Sequence, residues 1–600
     1  MNAQRNSEPS RMFPGNYELQ PTIRLGGDRR ILEAGEALAR ARAIAEERAP
    51  GRPLVVVDAY PGVDLQAWKA ALAEAYPDAA LIDVEQRAAL DTDELQELFR
   101  QNLTDDRVFG VMSHHRIEAV YDEGKLSALR DEVGARQGPV VLLGWGAALV
   151  ASDDAAIVSI ELARWEITLR YRAGLGNWRT DNGDEDVLRK IKRGFFVEWR
   201  IADRHKQDTL YPRADLVIDG NRAPADALAI TAEAFRAGME AAVSSPFRVV
   251  PYFDPGVWGG QWMREALGLP EGPENYAWAF DCVPEENSIL LSDGERVLEL
   301  PAIDVVLTRP RELLGARTHA RFGPEFPIRF DFLDTMGGGN LSLQVHPLTG
   351  YIQDRFGMPY TQDESYYLLD ADEDATVYLG LKTGADPRAF AAALEEAQAG
   401  GAPFPAEEFV NILPARKHDH FSIPAGTVHC SGANSLVLEI SATPYIFTFK
   451  LWDWGRLGLD GLPRPVHLEH GLRNIQWDRD TEWIAQLSGV EPIASGDGWT
   501  EERTGLHELE FIEVRRHWFT GRTPHHTHGT VNVLNLVEGD EVVVSSPSGS
   551  FDDFVVHYAE TFIVPAAVGA YDITPAPGAS ATRFATVKAY VRGTATSEAP

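Results

Sequence analysis

The sequence predicts a multidomain protein of α/β plus β class. An N-terminal α/β domain built on a parallel sheet precedes two β domains of sandwich or jelly-roll type, the first with a small helical insertion. Three observations predict it. Continuous apolar strands alternate with helical stretches up to about residue 245; turns rich in Pro and Gly separate β-rich runs from about 246 to 500; residues 501–600 are almost all short strands. The expected domains are therefore 1–245, 246–500 and 501–600. Length agrees, since 600 residues exceed one core at about 150 residues per domain.

In the first region, Leu54–Ala59 is a continuous apolar strand and Asp64–Ala75 then reads as helix. Ala79–Val84, Val108–Met112 and Val140–Gly144 read as further strands, with helices at about Asp93–Asn102 and Lys125–Val133. A charged helix, Asp184–Lys206, and the strand Asp215–Asp219 follow. The second region offers strands at Ile289–Leu291, Leu341–Val345, Tyr366–Leu369 and Leu436–Ile440, and a surface helix at Asp386–Ala399. The third offers Leu509–Arg515, Val531–Val537, Glu541–Ser545, Glu560–Val564 and Thr582–Tyr590, with a frayed tail from Thr594.

Composition excludes several classes of function. With 56 Lys and Arg against 90 Asp and Glu, the net charge is −34, so no general attraction to nucleic acid or anionic lipid is expected. The most apolar run, Pro139–Ala151, is shorter than the roughly 20 residues that span a bilayer. The first 20 residues carry no apolar signal segment, and two cysteines, Cys282 and Cys430, suit a reducing compartment. A cytoplasmic protein with a small-molecule partner is expected, and association into a homo-oligomer is left open.

The residues that carry chemistry lie in the second region. In a strand, residues two apart share a face, so Gln344 and His346 can meet one ligand. Glu364 follows His346 by 18 residues, about the span of a turn and a return strand. His429 ends a Pro424-Ala425-Gly426-Thr427-Val428-His429 turn that can aim an imidazole inward. Two His, one Glu and one amide oxygen suit a borderline divalent metal. Singly, a histidine in an apolar strand is more often a hydrogen-bonded core residue.

Taken in order, these segments resemble the type I phosphomannose isomerases, cupin-fold enzymes that interconvert mannose 6-phosphate and fructose 6-phosphate. The resemblance runs through Arg311-Glu312-Leu313-Leu314-Gly315, Phe332-Leu333-Asp334, the Gln344/His346 strand, Glu364, Tyr378-Leu379-Gly380 and the His429 turn. It ends at Leu438-Glu439-Ile440 and Leu451-Trp452-Asp453-Trp454-Gly455-Arg456. It implies two cupin domains, one Zn2+ or another divalent ion on Gln344, His346, Glu364 and His429, and phosphate contacts from Ser342 and Lys450. It also implies catalytic roles for Glu439, Lys450 and Arg456. In such an aldose–ketose isomerisation a cation polarises the carbonyl while a carboxylate shuttles a proton through an enediol(ate).

The sequence departs from that family where cations are expected. Gln362 stands two residues before Glu364 in place of Lys, Asp331 stands before Leu333-Asp334 in place of Lys, and Lys450 stands for Arg. An Arg-to-Lys change keeps the charge and loses the bidentate fork. The metal shell is complete and the substrate shell altered.

Other signals have plainer readings. Pro524-His525-His526-Thr527-His528 looks like a cupin metal motif without its Glu, and is read as a degenerate, metal-free barrel. Lys417-His418-Asp419-His420 reads as solvated surface, and Cys430 as core. Val187–Lys206 with Ala214–Ile218 resembles the lid and terminal strand of uridine kinase-like P-loop proteins, yet no G-x-x-x-x-G-K-[ST] follows Leu54–Asp58. The basic run there reads as a solvated helix face with i,i+4 charge pairs. Three functions follow: a mannose-6-phosphate isomerase-like enzyme of carbohydrate metabolism; a non-catalytic cupin that senses a sugar or sugar phosphate beside a degenerate kinase-like domain; and a kinase-like activity in the first domain.

Overall fold

A computed structural model describes residues 16–443, 445–462, 464–487, 489–504 and 510–593. Leu509, which opens one expected strand, the tail from Thr594 and most of the segment read for a signal peptide lie outside the described residues.

A seven-stranded sheet organises the first region. Its order is Leu32–Glu33, Leu228–Thr231, Leu216–Asp219, Ala156–Glu161, Leu54–Ala59, Val140–Gly144 and Ala80–Asp83. The five strands from Leu216–Asp219 to Ala80–Asp83 are parallel; at one edge Leu228–Thr231 pairs antiparallel with them and Leu32–Glu33 antiparallel with it. Every residue of Leu54–Ala59 and Ala156–Glu161 is buried, as strands covered on both faces must be. Helix starts follow local chemistry: Asp64 accepts from the Gln66 and Ala67 amides, and Asp91 with Glu94 forms a capping box ahead of Thr92–Phe99.

Two expectations for this region are overturned. Val108–Met112 is not a strand: Val111 N donates to Asn102, Met112 N to Phe356 and Ser113 N to Phe196, so these amides bond to loops and helices, not to a ladder. The basic run is not a solvated face. It forms a helical rod from Val187–Arg193 to Tyr211–Arg213 with two π turns, and Lys190, Lys192, Arg193, Arg200 and Lys206 are buried along it. Lys190 Nζ donates to the Tyr171 and Gly183 carbonyls at 2.7 and 2.6 Å; Lys206 lies between Glu161 and Asp304. Residues 192–203 are all buried, with Phe195, Phe196, Val197, Trp199 and Ile201 between the charges, and burial forces each cation among them to find a partner.

Two antiparallel sheets of the second region frame the site, and a further three-stranded sheet joins the region's strands Ser288–Ser292 and Val297–Pro301 to Thr22–Arg24. Of the framing two, one orders His420–Ile423, Glu364–Ala371, Ser435–Ser441, Arg329–Asp334, Trp278–Cys282 and Tyr252–Asp254; the other orders Val410–Pro414, Thr376–Leu381, His429–Ser431, Leu343–Val345 and Phe449–Trp452. The inserted helix is Pro387–Gln398, capped by Asp386 and buried through Phe390 and Leu394. His346 and Glu364 are not joined by a turn and return strand. A helix, Thr349–Phe356, intervenes, and Glu364 enters the opposite sheet.

Beyond it, a six-stranded sheet starts with the hairpin Glu491–Gly496 and Trp499–Arg503, continues through Ile512–Phe519, Phe584–Val591 and Asn532–Glu538, and ends at Thr561–Val564. A four-stranded sheet of Thr523–His526, Ala570–Pro575, Glu541–Ser545 and Phe554–His557 completes it. Among the described residues no helix is long and apolar enough to cross a membrane.

Candidate metal centre

The site forms where the two sheets of the second region meet. Gln344 occupies the middle of Leu343–Val345, and its Cα pairs with His429 on one neighbouring strand and Lys450 on the other. Cross-strand partners project to one face, so three of the expected residues are assembled by register alone. Gln344 Nε2 lies 3.2 Å from His429 Nε2; half a turn of the amide presents its oxygen there instead.

Both imidazoles are oriented by backbone carbonyls. His346 Nδ1 is 2.9 Å from the Phe447 carbonyl and His429 Nδ1 is 2.8 Å from that of Thr427, which turns each Nε2 toward the site. His346 Nε2 lies 3.1 Å from Glu364 Oε2, and His429 Nε2 lies 2.6 Å from Oε1. Burial works against the charge of Glu364, and the two imidazoles outweigh it and hold the carboxyl well below its usual range. The turn before His429 is fixed from outside. Gly426 takes a φ of 92°, and Arg479 Nη1 binds the Pro424 and Ala425 carbonyls and Thr427 Oγ1 at 2.6–2.7 Å.

The residues fit a divalent ion. One ligand atom from each of His346, Glu364 and His429 lies within 4.8 Å of the others, and all three side chains are buried. His346 Nε2 and Glu364 Oε1 have no partner in hydrogen-bond geometry, a state that a cation between them satisfies. Two imidazoles, a carboxylate and an amide oxygen are a donor set for zinc or a similar metal.

Glu439 lies beside this set. Gln362 Nε2 spans Glu364 Oε2 at 3.1 Å and Glu439 Oε1 at 3.3 Å, while its own oxygen accepts from Phe447 N. Burial, with Asp331 and Glu364 nearby, pushes the Glu439 carboxyl well above the usual range. Gln362 thus stands as a neutral bridge where a lysine was expected. The cation of this neighbourhood is Arg329, which binds Asp331 at 3.0 Å from the same strand. Sequence reading missed Arg329, one of three charged residues with Asp331 and Asp334 in a wholly buried strand.

The expected phosphate residues lie on the Lys450 side. Burial pushes the Lys450 amine down to about 7, with Arg464, Arg456 and Arg107 adding to the shift and Asp453 opposing it. Arg456 and Arg464 both bind Asp453, at 2.5 and 2.9 Å. Arg464 was also missed, and its Nη1 is buried without a partner. Ser342 is buried one residue before the Gln344 strand.

Two histidine clusters lie elsewhere. His418 and His420 are not solvated surface: His418 bonds Tyr367 and Glu538, and His420 bonds Thr504, so both are half-buried against the third region. His525 is buried, stacks on Tyr571 and stays neutral, because burial pushes its pKa well below the usual value. Where a phosphate cradle would follow Leu54–Ala59, the Asp58 carboxylate accepts from the Gly146 and Ala148 amides and meets His205. The void there is about 10 Å³, room for one water.

Comparison with known proteins places part of this chain among relatives. A family model described as a domain of unknown function, DUF8485, matches residues 37–244. The sequence is 25% identical over 333 residues to a probable mannose-6-phosphate isomerase, GmuF, of Bacillus subtilis, covering 55% of this chain and 96% of that protein. It is 26% identical over 218 residues to the mannose-6-phosphate isomerase of Streptococcus mutans, covering 36% of this chain and 63% of that one. Among solved structures, the mannose 6-phosphate isomerase from Bacillus subtilis aligns with a TM-score of 0.47 at 18% identity, over 58% of this chain and 100% of that one. About half of the chain is thus homologous to mannose-6-phosphate isomerases.

Proposed function

We propose that this chain is a metal-dependent aldose–ketose isomerase whose substrate pair is mannose 6-phosphate and fructose 6-phosphate. The observation that carries the proposal is the convergence of two carbonyl-oriented imidazoles on one buried carboxylate, with Gln344 beside them. Homology over part of the chain supports the same reading.

We assign Gln344, His346, Glu364 and His429 as metal ligands. A divalent metal held there supplies the Lewis acidity that polarises a sugar carbonyl. Glu439 is the group that holds a proton beside them, and Gln362 keeps its carboxyl in register with Glu364. Lys450, Arg456 and Ser342, with Arg464, give the phosphate a cationic seat opposite the carboxylates. A fixed phosphate supplies binding energy remote from the reacting carbons, which is useful only if it orients them.

The test is a coupled assay of mannose 6-phosphate conversion with the full chain, beside free mannose as a substrate without phosphate. Turnover restricted to the phosphorylated sugar is expected, and Lys450→Met is expected to raise KM by about 10-fold or more with metal content unchanged, since a charge-assisted hydrogen bond is worth about 1.5–3 kcal/mol. Equal KM in wild type and variant contradicts the assignment of Lys450.

One observation favours a second reading, a sensor of sugar phosphate without catalysis. The cations already have carboxylate partners within the protein, Arg456 and Arg464 sharing Asp453 and Arg329 binding Asp331. Thermal stabilisation by mannose 6-phosphate with no product formed is the outcome that selects it.

A further inference from the structure

Aromatic rings of the α/β region, Phe109 foremost, pack against the segment beside the metal centre, with Phe195 and Phe196 on Tyr445 and Phe447. Residues 102–111 form a loop closed at its neck by Val111 N to Asn102 O at 2.8 Å and Asn102 Nδ2 to Val111 O at 3.0 Å. Inside it, Asp106 accepts from the Val108 and Phe109 amides, and Lys192 of the buried rod holds the Thr104 carbonyl at 2.7 Å. Gly110 leaves no room for a side chain, since a Cβ there would meet Asn102 O at 2.7 Å. The loop is a fixed support, and it presents Phe109.

Phe109 is buried in the second region, not in its own. Its ring stacks on Phe447 at 4.6 Å, meets Phe449 edge-on at 5.4 Å and reaches Phe356 and His467. Phe195 of the same α/β region stacks on Tyr445 at 4.0 Å, two residues before Phe447. The segment from Tyr445 to Thr448 belongs to no strand, so no ladder holds it. Its Phe447 carbonyl orients His346, and its Phe447 amide holds Gln362, which in turn bridges Glu364 and Glu439.

We infer that Phe109 is a positioning residue for the metal centre: by bracing the Phe447 peptide from the α/β side, it fixes the imidazole of His346 and the amide of Gln362. The fused region is then a structural part of the metal site and not an independent module. The inference rests on the reading of His346, Glu364 and His429 as metal ligands. An outer partner that orients a metal-binding imidazole is worth 10–100-fold in affinity when lost.

The test titrates full-length protein with Zn2+ against a chelating dye and records the visible spectrum of the Co2+-loaded form. Phe109→Ala is expected to weaken Zn2+ binding by about 10–100-fold and to alter the cobalt bands, which report ligand geometry. Phe109→Leu, which keeps an apolar body against Phe447, is expected to restore most of the affinity. Leu129→Ala, in the buried face of the helix Glu123–Ala135, lowers stability of the same region and is expected to leave affinity unchanged. If Phe109→Ala does not fold, Tyr445→Ala loosens the same segment from Phe195 and is expected to weaken binding too. Wild type and folded variants binding Zn2+ equally tightly with one cobalt spectrum overturns the inference alone. Wild type that binds no divalent ion overturns it together with the reading of the site.

Discussion

Replacing His429 by Ala is expected to remove bound metal and to lower isomerase turnover by about 10³-fold or more. The size follows from what is lost: a cation at a polarised carbonyl contributes several kcal/mol to the transition state, and each 1.36 kcal/mol is a factor of ten. His429 Nε2 sits 2.6 Å from Glu364, with its other nitrogen held by Thr427, so its loss removes one of the two imidazoles aimed at the site. Metal content and kcat/KM measured on the same preparation check this. Full turnover in the variant, with or without metal, contradicts the assignment.

The second large effect concerns stability. Lys206→Met is expected to destabilise the protein by about 3–5 kcal/mol, because it strands Glu161 and Asp304, both fully buried, without their cation. Adding Asp304→Asn is expected to recover part of the loss by removing one uncompensated charge. The check is the earliest urea transition of the full chain. A shift within the roughly 0.5 kcal/mol of an ordinary surface substitution contradicts the burial of this rod.

That rod shows where sequence reading reached its limit. Lys and Arg at close spacing suit a solvated helix, and only the aromatic residues between them signal burial. The partners that make burial tolerable, Glu161, Glu285 and Asp304, lie far along the chain and carry no local signature. Val108–Met112 misleads in a related way, since its apolar residues serve another region's core through Phe109 and not a sheet of their own. The strand Ala156–Glu161 also escaped notice, having polar Ser159 and Glu161 in a fully buried position.

The metal-ligand candidates were far more legible. Gln344 and His346 sit two apart and His429 ends a Gly turn; these local patterns fix geometry within a few residues. What spacing could not show is that Glu364 comes from the opposite sheet, that Arg329 lies near Glu439 bound to Asp331, and that Arg464 lies near Lys450 bound to Asp453. Those are tertiary facts. Gln362 illustrates the point: read as a lost cation, it proves to be a hydrogen-bonded bridge between Glu364 and Glu439.

The central claim, a metal-dependent isomerase, is tested most directly by stripping the purified full chain with a chelator and titrating zinc back. Turnover of mannose 6-phosphate and bound zinc are measured at each step. Turnover that vanishes on stripping and returns in proportion to zinc, reaching its plateau at one ion per chain, is the predicted result. Turnover that is unchanged in the stripped protein, or absent at full zinc occupancy, contradicts it.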